Sequence, residues 1–365
     1  MTRLRLVIVA VALGSMIAPT QATAQWKTDF DKHTVPLDEI TSGGPPKDGI
    51  PALDRPAFVS VHDADGWLGD REPVVVVEHG GKAKAYPLQI LIWHEIVNDE
   101  IAGLPVSVTF CPLCNTALTF DRRFDDEVLD FGTTGMLRHS DLVMYDRQSE
   151  TWWQQASGEG IVGKHAGRQL TFVSSPIVSW KQFMGEYPEG QVLSRQTGYA
   201  RDYGRNPYQR YDTRSAPFSQ FFRGRQDGRL PAMERVVALA QGDSSVAYSM
   251  SVLEDRPAIN DTFGGHPIVV LWAPGTASAL DASAIADGRE VGSTAVYARE
   301  LGGRVLSFES AGPGRYRDLE TGSTWNIFGR ATGGPLAGQR LDPVPHGNHF
   351  WFAWAVFMPN TRVES

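Results

Sequence analysis

A chain of 365 residues with 42 acidic against 34 basic side chains carries a formal charge of -8, a balance that repels phosphate backbones and sets nucleic acid aside as a partner. Its length exceeds what one core ordinarily organises, so two modules are expected. No phosphate-cradling glycine loop, GxSxG elbow or HExxH helix occurs, which removes several common enzyme classes from first consideration.

Residues 1–24 open with Arg3 and Arg5, continue as the apolar run "LVIVAVALGSMIA" and end in the small residues "ATA". That is the pattern of a secretory signal peptide, with cleavage expected after Ala24 and a periplasmic or secreted location. Loss of two arginines and no acid takes the charge from -8 to -10. The apolar run is too short to span a bilayer, and no later stretch offers roughly 18 consecutive apolar residues, so no transmembrane segment is expected in the mature chain. In an oxidising compartment two cysteines pair unless a metal or a reductant holds them.

Residues 25–70 read as an N-terminal arm. Beyond them "VVVVEH", "VSVTF" and "TALTF" are short β-branched or alternating runs bounded by Gly, Pro and Asn, and they predict strands. "PLQILIWHEIVND" places Leu88, Leu91, Ile92 and Ile96 near helical spacing, which predicts a short helix closed by a turn at Asn98 and Asp99. "LDFG", "LVMYD" and "TWWQQ" predict further strands. Residues 195–232, rich in Arg, Tyr and Gly and without periodicity, read as a long ordered connector whose aromatics want burial.

After the connector the pattern returns. The stretch from Glu72 lies over the stretch from Glu234 without a gap, at a constant shift of 162: Tyr86 falls on Tyr248, Asn98 and Asp99 on Asn260 and Asp261, Gly103 on Gly265. With a changed offset, Asp146 and Trp153 then match Asp318 and Trp325, and Trp180 matches Trp351. The expected fold is therefore α+β and β-rich, built of two related, internally duplicated units packed together: a first repeat over 71–194 and a degenerate second repeat over 233–365. Positions kept in both halves are expected to serve the shared fold, and polar positions present in one half to serve a task of that half. Cys111 and Cys114 face Ala273 and Thr276, and His94 and Glu95 face Arg256 and Pro257. The first repeat is thus the expected seat of any chemistry.

The two cysteines stand in "FCPLCNT", between two predicted strands rather than at the start of a helix whose dipole would stabilise a thiolate. A tight turn of that kind suits a metal-binding knuckle, yet zinc wants four ligands and no second CxxC exists. The half-specific donors His94, Met136, His139 and Met144 are the candidates to complete it; a Cys, His and Met set is soft and favours copper, with zinc or iron behind. A redox-active disulfide and an inert staple worth about 2 kcal/mol remain alternatives at this point. Glu95 is a candidate to orient His94 or act as a general base. Asp141 and Asp146 beside Trp152 and Trp153 mix carboxylates with stacking faces, as a sugar site does, although adjacent tryptophans in a strand more often put one ring in the core.

"YPLQILIWHEIVND", "VTFCPLCNTALTFDRR", "FGTTGMLRHSDLVMYDRQSETWWQQ" and "FWFAWAVFMPNT" together resemble the family catalogued as domain of unknown function 3179, over roughly residues 50 to 361. That resemblance implies no established activity. The reading carried forward is an exported protein whose first repeat binds a soft metal, copper favoured, through Cys111 and Cys114 with His94, His139 and Met136, for metal handling or electron transfer. The alternatives are a periplasmic thiol-disulfide oxidoreductase and a ligand-binding module with a structural disulfide.

Overall fold

The computed structural model describes residues 26–242 and 244–365, so the expected signal peptide lies outside the described residues. The protein is α+β and β-rich: many short strands in several sheets, with helices of no more than seven residues among the described residues. Among the described residues no helix is long and apolar enough to cross a membrane.

The largest sheet has nine strands and joins strands from both halves of the chain. Leu53–Asp54, Ile96–Ile101, Leu104–Cys111 and Thr116–Asp121 follow one another in it, then Gly347–Phe350, Arg235–Gln241, Ser244–Ser249 and Arg362–Glu364. Thr171–Val173 pairs with the far end of Thr116–Asp121. The junction between the early and late strands is the pairing of Asn348 with Ala117. All eight residues of Leu104–Cys111 are buried, the pattern of a strand covered on both faces.

Helix Leu88–His94 begins after Pro87 and buries every position but Trp93. It ends earlier than its sequence period predicts. Glu95 takes a left-handed conformation (φ 59°), and the β-branched Ile96 and Val97 continue as strand Ile96–Ile101. Asn98 and Asp99 accordingly sit inside a strand, not in a turn. Asn98 is buried there, donating Nδ2–H to the Phe131 carbonyl at 2.8 Å while its Oδ1 accepts from Phe131 N–H.

The second half repeats these local solutions. Strand Pro73–His79 pairs with Lys82–Pro87 through Val75 and Tyr86, and Arg235–Gln241 pairs with Ser244–Ser249 through Val237 and Tyr248, each position 162 further on. Asn260 bridges the backbone of Phe308 as Asn98 bridges Phe131. Tyr248 donates to Asp261 at 2.5 Å as Tyr86 does to Asp99 at 2.7 Å. Ala273 pairs with Ser293 as Cys111 pairs with Thr116. What lies between differs: residues 274–292 replace the short turn 112–115. Thr276, aligned with Cys114 in an ungapped comparison, is therefore part of a long loop with no counterpart of the turn. That loop returns Ala279, Leu280 and Ile285 to the core that contains both cysteines.

The arm and the connector are parts of the fold. Ile40–Ser42, Leu53–Asp54 and Phe58–Ser60 each add a strand beside a strand of the first half. Connector residues Tyr203, Tyr208, Tyr211, Phe218 and Phe222 pack on the same core as the cysteines, the burial their aromatic content called for.

Candidate metal centre

Cys111 closes its strand, and the chain reverses within four residues. Cys114 N–H donates to the Cys111 carbonyl at 3.2 Å, and Asn115 completes the reversal at φ 50°, a left-handed value that asparagine tolerates better than most side chains. A second tight turn faces it. Arg138 pairs with Asp141 across His139 and Ser140, whose φ values of 52° and 71° make a two-residue hairpin loop of the primed kind. This turn delivers Asp141 to the cysteines, and the Cys111 thiol lies 3.7 Å from the Ser140 carbonyl oxygen.

The result is a group of three donors. The two Sγ atoms and a carboxylate oxygen of Asp141 lie within 4.8 Å of one another, all three residues buried. In a tetrahedral site with metal–sulfur bonds of about 2.3 Å, two sulfurs stand about 3.8 Å apart, so the spacing fits an ion after a small closing movement. Both cysteines are free thiols, and no disulfide staples the turn. Asp141 Oδ2 accepts from Gln154 Nε2–H at 2.5 Å and Ala156 N–H at 2.9 Å. Its Oδ1 is buried without a hydrogen-bond partner.

Electrostatics single out a fourth residue. Burial pushes the Glu95 carboxyl up to about 8, and the neighbouring charge of Asp141 adds to the shift. Asp141 itself is raised to about 6 by burial, against the opposing hydrogen bonds from Ala156, Gln154 and the two thiols. Burial also raises both thiols, Cys114 well above its ordinary value. No lysine, arginine or histidine is among the principal charges acting on these four groups. Four acidic groups thus share one buried place without a basic partner, an arrangement a cation would relieve.

The turn is clamped from outside. Tyr211 Oη–H donates to the Leu113 carbonyl at 2.9 Å, and Phe350 N–H donates to the Cys114 carbonyl at 2.8 Å. Thr116 Oγ1 and His349 Nδ1 are 2.9 Å apart. The clamps come from the connector and the second half.

The other residues singled out in the sequence lie elsewhere. His94 is fully buried, but its Nδ1–H donates to the Pro51 carbonyl and its Nε2 accepts from Tyr203 Oη–H, both at 2.7 Å, so neither nitrogen is free. Burial lowers its pKa and favours the neutral ring this pairing requires. His139 Nε2 lies 3.2 Å from Glu39 Oε2. Met136 packs with Val143, Tyr145 and Trp152, and Met144 lies in the main core with Trp153. Trp152 and Trp153 are 5% and 0% exposed, which leaves no face for a sugar to stack on. Asp146 is occupied by Ser149 and by Trp153 Nε1–H, the latter at 2.9 Å. Asp141, noted in the sequence only as a possible sugar-binding carboxylate, is the one that meets the thiols. The connector's aromatic content pointed to burial of Tyr211, but nothing in the sequence placed its hydroxyl on the Leu113 carbonyl.

Fold and site together define a β-rich protein with a buried Cys111/Cys114/Asp141 group able to hold a metal ion. The chain belongs to the family described as "Protein of unknown function (DUF3179)", whose model matches residues 47–361. No curated protein and no solved structure matches it.

Proposed function

We propose that this is an exported metal-holding protein, with Cys111, Cys114 and Asp141 as ligands and Glu95 as the fourth donor. The observation that carries the reading is the convergence of two thiols and the Asp141 carboxylate, all buried and within 4.8 Å of one another. Two thiolates would balance a divalent charge, and the carboxyl groups would complete four-coordination. Histidine and methionine donors were the ground for copper; a set of thiolates and carboxylates supports zinc ahead of it. Thiol-disulfide exchange draws no support, because reactive thiols have lowered pKa values in exposed, electropositive places and these are buried and raised.

Export rests on the leader-like residues 1–24. Duplication rests on the shift of 162 and on the matching registers of the two halves. On that reading the first half kept the ion site, while the second became its clamp through Phe350 and Arg235.

The test is metal content and free thiols on the mature protein, beside a Cys111→Ser/Cys114→Ser double variant and Asp141→Asn. Near one zinc per chain, absent from the double variant and weakened in Asp141→Asn, is the expected result. A folded protein that takes up neither zinc nor copper(I) in titration would defeat the reading.

A further inference from the structure

Two grooves lie where the halves meet, and they occupy corresponding places. One is lined by Glu78, Tyr187 and Arg340. The other is lined by Ala240, Met358 and Gln169. The correspondence is geometric. Glu78 pairs with Ala83 in its hairpin and Ala240 with Ser245, a shift of 162 at both positions. Tyr187 and Met358 each cap the C-terminus of a seven-residue helix, Trp180–Glu186 and Trp351–Phe357. Gln169 and Arg340 form equivalent isolated bridges, to Glu159 and Arg330.

The contents of the two grooves are opposite. In the first, Arg340 forms an ion pair with Glu78, and Tyr187 donates its hydroxyl proton to the same carboxylate. In the second, each of these partners is replaced by a side chain that makes no such link. The two cavities are alike in size, about 410 Å3 for the first and about 380 Å3 for the second, so they differ in chemistry and not in room, and the second lies toward the lower end of the roughly 300–1,000 Å3 range of small-molecule sites. Its walls include Leu118, Phe172, Leu239 and Trp354.

Two further features mark this cavity as built. Gly347 lines it with an ordinary φ, so any residue could adopt its backbone. A Cβ there would come within 2.3 Å of His349 Nε2 and 2.8 Å of a Leu118 methyl. The glycine is needed for space. His349 also lines the cavity and rests against the Trp354 ring, with centroids 5.0 Å apart. Its Nδ1 is engaged by Thr116 Oγ1, which leaves Nε2, beside the gap at Gly347, as one polar atom a ligand would meet; His346, also in the lining, has a buried Nε2 without a partner.

We propose that this cavity binds a neutral aromatic molecule carrying one hydroxyl, of the phenol class. Aromatic and aliphatic walls supply the apolar contact, and His349 supplies one polar anchor. Burial keeps His349 in the neutral form. Glu159, the one carboxylate in the lining, disfavours an anionic ligand.

The experiment uses 2-naphthol as probe, with 2-naphthoate as its charged counterpart, followed by calorimetry and tryptophan fluorescence on the full mature protein. Saturable binding of 2-naphthol, at least tenfold tighter than 2-naphthoate, is expected. The variant Ala240→Glu/Gln169→Arg/Met358→Tyr transplants the ion-paired lining of the first groove and should weaken 2-naphthol at least tenfold. Ala240 and Gln169 are exposed and Met358 is half-buried, so folding should survive, and circular dichroism checks it. Gly347→Ala gives a second block, through the Cβ that would press on His349 and Leu118. The proposal is overturned by no saturable binding up to millimolar probe, by equal binding of the two probes, or by binding that the folded triple variant leaves unchanged.

Discussion

Arg235 donates Nη1–H to the side-chain oxygen of Asn115 at 2.8 Å, tying the first strand of the second half to the residue that follows Cys114. The same guanidinium meets Asp212 of the connector at 3.0 Å and Ser278 of the long loop at 2.7 Å. Three distant segments therefore converge on the cysteine turn. Asn115→Ala should destabilise the protein by about 2–4 kcal/mol, because it leaves part of a buried guanidinium unpaired and puts alanine at a left-handed φ. Urea unfolding measures this, and a change below about 0.5 kcal/mol, the level of an ordinary surface substitution, would show that the contact does not hold the turn.

Positions shared by the halves should behave alike. Asp146 accepts from Ser149 N–H, Ser149 Oγ–H and Trp153 Nε1–H; Asp318 accepts from Thr321 N–H, Thr321 Oγ1–H and Trp325 Nε1–H. Both tryptophans are fully buried, so losing either aspartate strands an indole N–H. Asp146→Ala and Asp318→Ala should each cost about 2–4 kcal/mol and leave metal content untouched. Metal loss in Asp146→Ala alone would contradict that equivalence.

How much could be read beforehand follows from how local each signal was. Strand Leu104–Cys111 and helix Leu88–His94 were visible because their apolar patterns are set by neighbours in sequence. Where the helix stops was not, because Glu95 turns left-handed under tertiary contact: its carbonyl accepts from Phe110 N–H across the sheet. The cysteine turn was legible as a candidate metal grip, but its third partner was not. Asp141 arrives through the turn at His139 and Ser140, a pair that lacks the glycine or asparagine by which such turns are usually recognised, and Ser140 is held by the Phe221 carbonyl. The clamp through Tyr211 comes from a segment without periodicity, so no spacing rule could place it.

His94 offers a direct separation between neighbours in sequence. Both its ring nitrogens are engaged, by the Pro51 carbonyl and by the Tyr203 hydroxyl, and Tyr203 in turn lies 2.5 Å from Thr197 Oγ1. His94→Ala should lower stability by about 2–4 kcal/mol through those lost bonds while the protein keeps its zinc affinity. Competition with a chromophoric chelator measures the affinity. A fall of a hundredfold or more in the folded variant would mean that His94 reaches the ion.

Glu95 gives the pH dependence its sign. Its carboxyl is near 8 in the folded protein against an ordinary value of 4.5, so the unfolded chain releases this proton first as pH rises. Between those values the folded state holds more protons, and stability of the metal-free protein falls as pH rises from about 4.5 to about 8. Asp141, raised to about 6 from 3.8, acts in the same direction over a lower window. At pH 4.5 the Glu95 effect is almost absent. Glu95→Gln carries no charge in either state, so it should match the parent near pH 4.5 and exceed it by a few kcal/mol at pH 8, measured by urea unfolding of the metal-free proteins. Zinc should reverse the order at pH 8, because the ion stabilises the ionised carboxylate and the glutamine cannot replace it. A Glu95→Gln variant no more stable than the parent at pH 8 without metal would show that Glu95 is neutralised by something other than burial and a proton.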